Sequence, residues 1–155
     1  MPQMSMTRVV ANAASLSLFL VVASSAFTLA QASEQAIVMP FKSKDVKWGG
    51  CPDFLPKACG LAPLHGDIAK PNSDIFFKVP GGGKIARHWH TSAERMILVS
   101  GRLQLTYDGQ PAQVAKVGDY LYGPAKLPHS GVCLSKEPCI LFIAFEEAVD
   151  AVPNK

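Results

Sequence analysis

The chain has 155 residues, 48% of them hydrophobic and 17% charged. That length and composition suit one globular domain around one core, and they exclude a disordered chain. Its 15 basic and 12 acidic residues leave a formal net charge of +3 with no run of Lys or Arg, so nothing marks a surface for nucleic acid or an anionic membrane.

Residues 1–32 differ from everything after them. They contain a single charged residue, Arg8, followed by an uncharged stretch centred on Leu16, Leu18, Phe19, Leu20, Val21 and Val22. The stretch ends in Ala30-Gln31-Ala32, a small-x-small pattern that suits signal-peptidase cleavage. A positive start, an apolar middle and a small-residue exit predict a secretory signal peptide over 1–32. The alternative is a retained anchor, since 9–32 is long enough to span a bilayer. Asn12, Ser15, Ser17, Ser24, Ser25 and Thr28 dilute that run, and no cationic cluster follows it. The expected location is therefore periplasmic or secreted, with the mature protein outside the membrane.

The segment 33–74 is rich in Pro and Gly and reads as irregular. Trp48-Gly49-Gly50-Cys51-Pro52 and Ala69-Lys70-Pro71-Asn72 are typical of it. The four cysteines, Cys51, Cys59, Cys133 and Cys139, lie beyond the signal peptide. An even count in an exported chain suggests disulfides, for which three pairings exist. The economical choice is local, Cys51–Cys59 with Cys133–Cys139. A zinc site is the competing reading, but neither pair has the close spacing of structural zinc ligands.

From residue 75 the texture changes to short apolar runs separated by turn signals. Strands are expected over 75–79, 85–90, 95–99, 103–107, 119–122, 130–133 and 139–145. Pro80-Gly81-Gly82-Gly83, Ser100-Gly101, Asp108-Gly109 and Gly123-Pro124 lie between them. Asp-Gly is a strong hairpin signal. Many short strands without helical periodicity predict an all-β sandwich or barrel.

Three of the four histidines fall into one arrangement. His88 and His90 flank Trp89 in a strand-like segment, where alternate side chains share a face. Glu94 follows across the short connection of Thr91, Ser92 and Ala93, and His129 must return to the same place through the fold. Three imidazoles and a carboxylate suit one divalent transition metal: Fe, Mn, Ni, Cu or Zn. His65 matches no ligand position. Trp89 and Arg87 have the opposite parity, which places them outside the cavity.

The spacing of these residues resembles the cupin superfamily. Gly82, His88, His90, Glu94 and Gly101 fit its first motif, and Gly118, Pro124 and His129 fit its second. Lys126 stands where glycine is usual in that motif, and Cys133 where asparagine is usual. The resemblance covers about 76–145 and extends more weakly upstream, to small exported bacterial single-domain cupins of type 2, ChrR-like. It implies a single jelly-roll β-barrel over 75–146, with 33–74 packed against it and 147–155 as a C-terminal tail. It also implies metal ligation by His88, His90, Glu94 and His129.

Strand parity predicts the surroundings of the metal. Ala86 should share the face of His88 and His90, and Met96 and Leu98 that of Glu94. The last strand offers either Ile140, Phe142 and Ala144 or Leu141, Ile143 and Phe145. The cavity is expected to be small and apolar, with Tyr107, Tyr120 and Tyr122 as its nearest proton-transfer candidates. In that setting the metal must carry most of any chemistry. Cupins span enzymes, sensors and storage proteins, so fold leaves the function open. The leading expectation is a metal-dependent dioxygenase or lyase acting on a small organic molecule, with Glu94 as the catalytically important ligand. The alternative is a non-catalytic metal- or ligand-binding or sensing module. A homodimer is compatible with either.

Overall fold

The computed structural model of the chain describes residues 34–154, so the signal peptide expected over 1–32 lies outside the described residues. Ile37–Lys155 make up one unit, and of the unit before it only residues 34–36 are described, as irregular chain.

Ten strands follow: β1 (Gly60–His65), β2 (Ser73–Val79), β3 (Lys84–Trp89), β4 (Glu94–Ser100), β5 (Arg102–Tyr107), β6 (Gln113–Lys116), β7 (Tyr120–Gly123), β8 (His129–Cys133), β9 (Cys139–Phe145) and β10 (Val152–Pro153). They pair antiparallel in two five-stranded sheets. The first sheet has the order β1-β2-β9-β4-β7 and the second β10-β3-β8-β5-β6. No helix occurs among the described residues. The fold is the expected all-β jelly roll.

Alternation along the strands builds the core between the sheets. Leu103, Leu105 and Tyr107 of β5 point inward while Gln104 and Thr106 are half-buried. Strand β9 is apolar at every position, and the structure uses both of its faces. Leu141, Ile143 and Phe145 join the core between the sheets. Ile140 turns outward into a second cluster with Val46, Ala62 and Phe76, flanked by Phe142, Met39, Phe41 and Trp48. The chain before β1 thus covers the outer face of the first sheet. Trp48 stacks on Phe76 at 6.4 Å, and Lys78 Nζ lies 4.2 Å from the Trp48 ring centroid.

Seven strands fall where periodicity predicts them, to within one or two residues. The other three, β1, β6 and β10, are all sheet edges. An edge strand pairs on one side only, so it tolerates Pro, Gly and polar residues that would disrupt a central strand. Gly60 and Pro63 in β1 and Pro153 in β10 hide these strands from a pattern search. The segment 33–74 therefore contains β1 and the first two residues of β2, and the C-terminal tail contains β10.

Both local cysteine pairs are disulfides. Cys133–Cys139 ties the end of β8 to the start of β9, which accounts for a cysteine where asparagine is usual. Gly101 joins β4 to β5 with φ +84°, and a Cβ there would lie 2.8 Å from Cys139 Sγ. Only glycine suits both demands. Lys126 adopts φ +61°, the left-handed conformation that glycine would supply, at a cost of about 1 kcal/mol. Its N–H donates to the His90 carbonyl at 2.8 Å, which holds the turn in place.

Candidate metal centre

The barrel brings His88, His90, Glu94 and His129 together at one buried point. His88 on β3 sits directly opposite His129 on β8, with ring centroids 4.4 Å apart. His90 lies one residue beyond β3 and meets the His88 ring edge-on at 4.7 Å. The three histidines offer ligand atoms all within 4.8 Å of one another. Glu94, the first residue of β4, comes from the other sheet. Its Oε1 lies 3.3 Å from His90 Nε2 and its Oε2 3.7 Å from His129 Nε2. All four residues are at least nine-tenths buried.

The backbone decides which nitrogen of each ring is free. Nδ1 of His88 faces the Ala86 carbonyl at 2.8 Å, that of His129 faces the Leu127 carbonyl at 3.3 Å, and that of His90 faces the Asp150 carbonyl. A carbonyl only accepts, so each Nδ1 carries the proton and each Nε2 keeps a lone pair. Burial pushes His90 down to about 4, against the opposing effect of the Asp150 carbonyl. Burial, reinforced by the neighbouring imidazoles, pushes His129 down to about 3. Burial also lowers His88. The rings are therefore neutral at physiological pH, the form that ligates. Burial pushes Glu94 up to about 8, with a further push from the Asp150 carboxylate. A buried carboxyl facing two imidazole lone pairs, with no fixed cation beside it among the described residues, is a site that a divalent metal would complete.

The walls are apolar. Ile75, Phe77, Ile85, Leu105, Leu141, Ile143 and Phe145 line the cavity between the sheets, and Met96 lies on the Glu94 face as expected. Leu98, on that same face, is fully buried in the core. Strand β9 resolves its two options in favour of Leu141, Ile143 and Phe145. Ala86 corrects the parity reading: it is exposed, and Ile85 takes the inward position. The cause is a register shift between Ile85 and His88 in the β3–β8 pairing. Such a bulge inserts a residue and resets the alternation, and it also turns the Ala86 carbonyl toward His88 Nδ1.

Of the three tyrosines, only Tyr107 reaches the cavity. Its ring packs 4.8 Å from that of His129. Among the described residues, its hydroxyl is the one buried side-chain polar atom without a hydrogen-bond partner. Burial, then the charge of Glu94, raises its pKa, so it stays protonated. Tyr120 and Tyr122 are exposed on the outside of the barrel. Trp89 is half-buried outside the cavity, Arg87 pairs with Asp108 on the surface, and His65 is exposed and apart from the cluster.

Two contributors escaped the sequence reading. The loop closed by Cys51–Cys59 places Pro52 and Leu55 on the cavity wall and lays Phe54 against His88 at 5.8 Å. The C-terminal chain places Val149, Asp150 and Ala151 there as well. The even cysteine count could have pointed to the first as a fixed loop. Asp150 left no signal.

Comparison with known proteins agrees with this architecture. Residues 75–145 match the family model for the cupin domain. No curated protein matches the chain. Solved structures share the fold at low identity. The polyketide cyclase RemF from Streptomyces resistomycificus is 20% identical, with a TM-score of 0.61 over 77% of this chain and 87% of its own. An RmlC-like cupin from Shewanella frigidimarina is 18% identical, with a TM-score of 0.57 over 76% and 97%. The DMSP lyase DddQ from Ruegeria pomeroyi is 15% identical, with a TM-score of 0.61 over 70% of this chain. The match spans only 61% of that lyase chain and 63% of a second DMSP lyase chain, which is 18% identical with a TM-score of 0.61.

Proposed function

We propose that this cupin is an exported enzyme that holds one divalent transition metal on His88, His90, Glu94 and His129. With that metal it transforms a small, largely apolar organic molecule as a lyase or dioxygenase. The observation that carries the reading is the common orientation of the imidazoles, each held at Nδ1 by a carbonyl and free at Nε2. Such outer partners fix ring direction and raise ligand basicity. Bound there, the metal would supply Lewis acidity and a template for substrate oxygen.

The protein's own groups have narrower roles. The apolar walls favour a substrate whose body carries no charge, because burying an unpaired ion in such a cavity is costly. Tyr107 offers its unpaired hydroxyl as a donor to an oxygen of the bound molecule. Glu94 lowers the charge of the centre and so tunes its reactivity. The DMSP lyases and RemF, which share the fold, support bond cleavage or rearrangement as the reaction class. The two disulfides support an oxidising compartment. Among the described residues, no helix is long and apolar enough to cross a membrane.

The sparse acid–base equipment of the cavity keeps a second reading in view, that of a binding or sensing module without turnover. Elemental analysis of protein purified from its native compartment tests the metal. Oxygen-uptake and anaerobic product assays on apolar alcohols, phenols and short acids then separate dioxygenase from lyase. A metal-loaded protein that binds such molecules and converts none would favour the binding module.

A further inference from the structure

We infer that Asp150 is the positioning residue of the metal centre: its carbonyl aims the His90 ring, while its carboxylate locks the turn that carries that ring. The inference rests on the metal reading above for its purpose, though its geometry stands independently.

The three histidines do not draw their orienting carbonyls from the same distance along the chain. His88 and His129 each use a carbonyl two residues earlier in their own segment, Ala86 and Leu127. Those contacts form whenever the local backbone forms. His90 lies past the end of β3, where the ladder to β8 has stopped. Its Nδ1 donates to the carbonyl of Asp150, sixty positions further along the chain. A carbonyl so distant in sequence aims the ring only if something holds it at the right height.

The Asp150 side chain provides that hold. Its Oδ1 accepts the Thr91 N–H at 2.9 Å, and its Oδ2 accepts the Thr91 hydroxyl at 2.6 Å. Thr91 follows His90 directly. The carboxylate therefore clamps the residue next to His90 while the carbonyl of the same Asp clamps the His90 ring, closing a small loop of contacts. Charge-assisted bonds of this kind are short and directional. Asn would keep one acceptor, and Ala would keep none.

The surrounding chain is fastened without Asp150. The N–H groups of Glu146 and Glu147 donate to the buried Ser92 hydroxyl at 2.9 and 3.1 Å. Val149 N–H reaches the Ile68 carbonyl at 2.8 Å. Beyond Asp150, Val152 and Pro153 pair with Trp89 and His88, and Asn154 N–H reaches the Arg87 carbonyl at 3.0 Å. Substituting Asp150 should therefore loosen the clamp and leave the strand in place.

The test uses the full mature chain and cobalt or zinc as the probe, with affinity measured by competition against a chromophoric chelator. Loss of an outer partner of a metal ligand typically costs about 10–100-fold in affinity, and Asp150→Ala should fall in that range. Asp150→Asn should lose less. Thr91→Val, which keeps Asp150 and removes one of the two bonds, should shift affinity in the same direction by a smaller factor. It also serves if Asp150→Ala fails to fold. In a His90→Ala background, Asp150→Ala should have no further effect, because its action passes through His90. Long-range nitrogen–proton NMR of the metal-free protein gives a readout that needs no metal. His90 should hold its proton on Nδ1 in the wild type and lose that preference in Asp150→Ala, while His88 and His129 stay unchanged. Wild-type affinity and an unaltered His90 tautomer in Asp150→Ala would overturn the inference, as would equal losses with and without His90. A wild type that binds no metal yet shows the tautomer change would defeat the metal reading and leave the positioning role standing.

Discussion

The two sheets of the barrel face each other across one cavity but are built for different conditions. The inner side of the first sheet meets the core, and its outer side is covered over β1, β2 and β9 by Val46, Met39, Phe41 and Trp48, while its β7 edge shows Tyr120 and Tyr122 to solvent. The second is covered only inside. Outward, β3 presents Lys84 and Arg87 and β6 presents Val114 and Lys116, all exposed. The second sheet and the residue just past β3 carry the three histidines, and the first sheet carries Glu94. The carboxyl, the costlier group to bury, comes from the better-packed wall. The imidazoles, each held by a backbone carbonyl, come from the thinner one. Packing secures the first half of the site, and hydrogen bonds aim the second.

Loosening the contact between the first sheet and its outer cover should do the most damage. Phe76→Ala deletes a side chain that is 7% exposed and packed on Trp48 and Ile140, and should cost about 3–5 kcal/mol. Denaturant unfolding of the metal-free protein measures it. An effect below 1 kcal/mol would mean that the cover adds little to the first sheet.

Next comes the removal of an imidazole from the second sheet. His129→Ala or His90→Ala should lower metal occupancy at least about tenfold, because each deletes a donor outright. Elemental analysis at matched protein concentration, with melting curves as a folding control, decides the matter. Unchanged metal in a His88→Ala/His90→Ala protein would dismiss the site.

A pH series separates the contributions of the two sheets. With His90 at about 4 and His129 at about 3, those rings are already neutral at pH 6. Glu94, at about 8, still holds its proton there. Metal binding must expel that proton, so affinity should rise about tenfold per pH unit between about pH 6 and 8, then level off. Glu94→Gln should flatten the slope. If turnover is found, it should also reduce turnover more than it reduces occupancy. Without metal, the folded state binds the Glu94 proton more tightly than the unfolded chain does. Its contribution to stability is therefore complete below about pH 4.5 and lost as pH rises toward 8.

The smallest effect should come from the wet face. Lys84→Gln on β3 should change stability by no more than about 0.5 kcal/mol. A larger loss in the same unfolding assay would show that the outer face of the second sheet is covered in the functional state, as it would be by a second copy of the chain.

The strands that periodicity located are central ones together with β7, whose side chains alternate or run apolar because neighbours bury them. The strands it did not locate are edges, where one-sided pairing relaxes the demand. The candidate site divides in the same way. His88, His90 and Glu94 lie within seven residues of one another, so their spacing alone places them together. His129 was readable from a second spaced motif. Ala86 misled because a bulge broke the alternation on which the parity argument depends. Asp150 was invisible for a different reason: its contribution to His90 is a carbonyl, a group that every residue possesses.

The sequence by itself determined the strand-rich fold, the apolar character of β9 and the closeness of His88, His90 and Glu94, because each is written in residue type and short-range spacing. The resemblance of a second motif added His129, and economy favoured the local cysteine pairs. Only the tertiary structure decided which face of β9 meets the cavity, that the chain before β1 covers the outside of the first sheet, and that the C-terminal chain brings the Asp150 carbonyl to His90. Those outcomes depend on which segments, tens of residues apart, compete successfully to cover the same surface. Burial and backbone hydrogen bonding settle that competition in three dimensions.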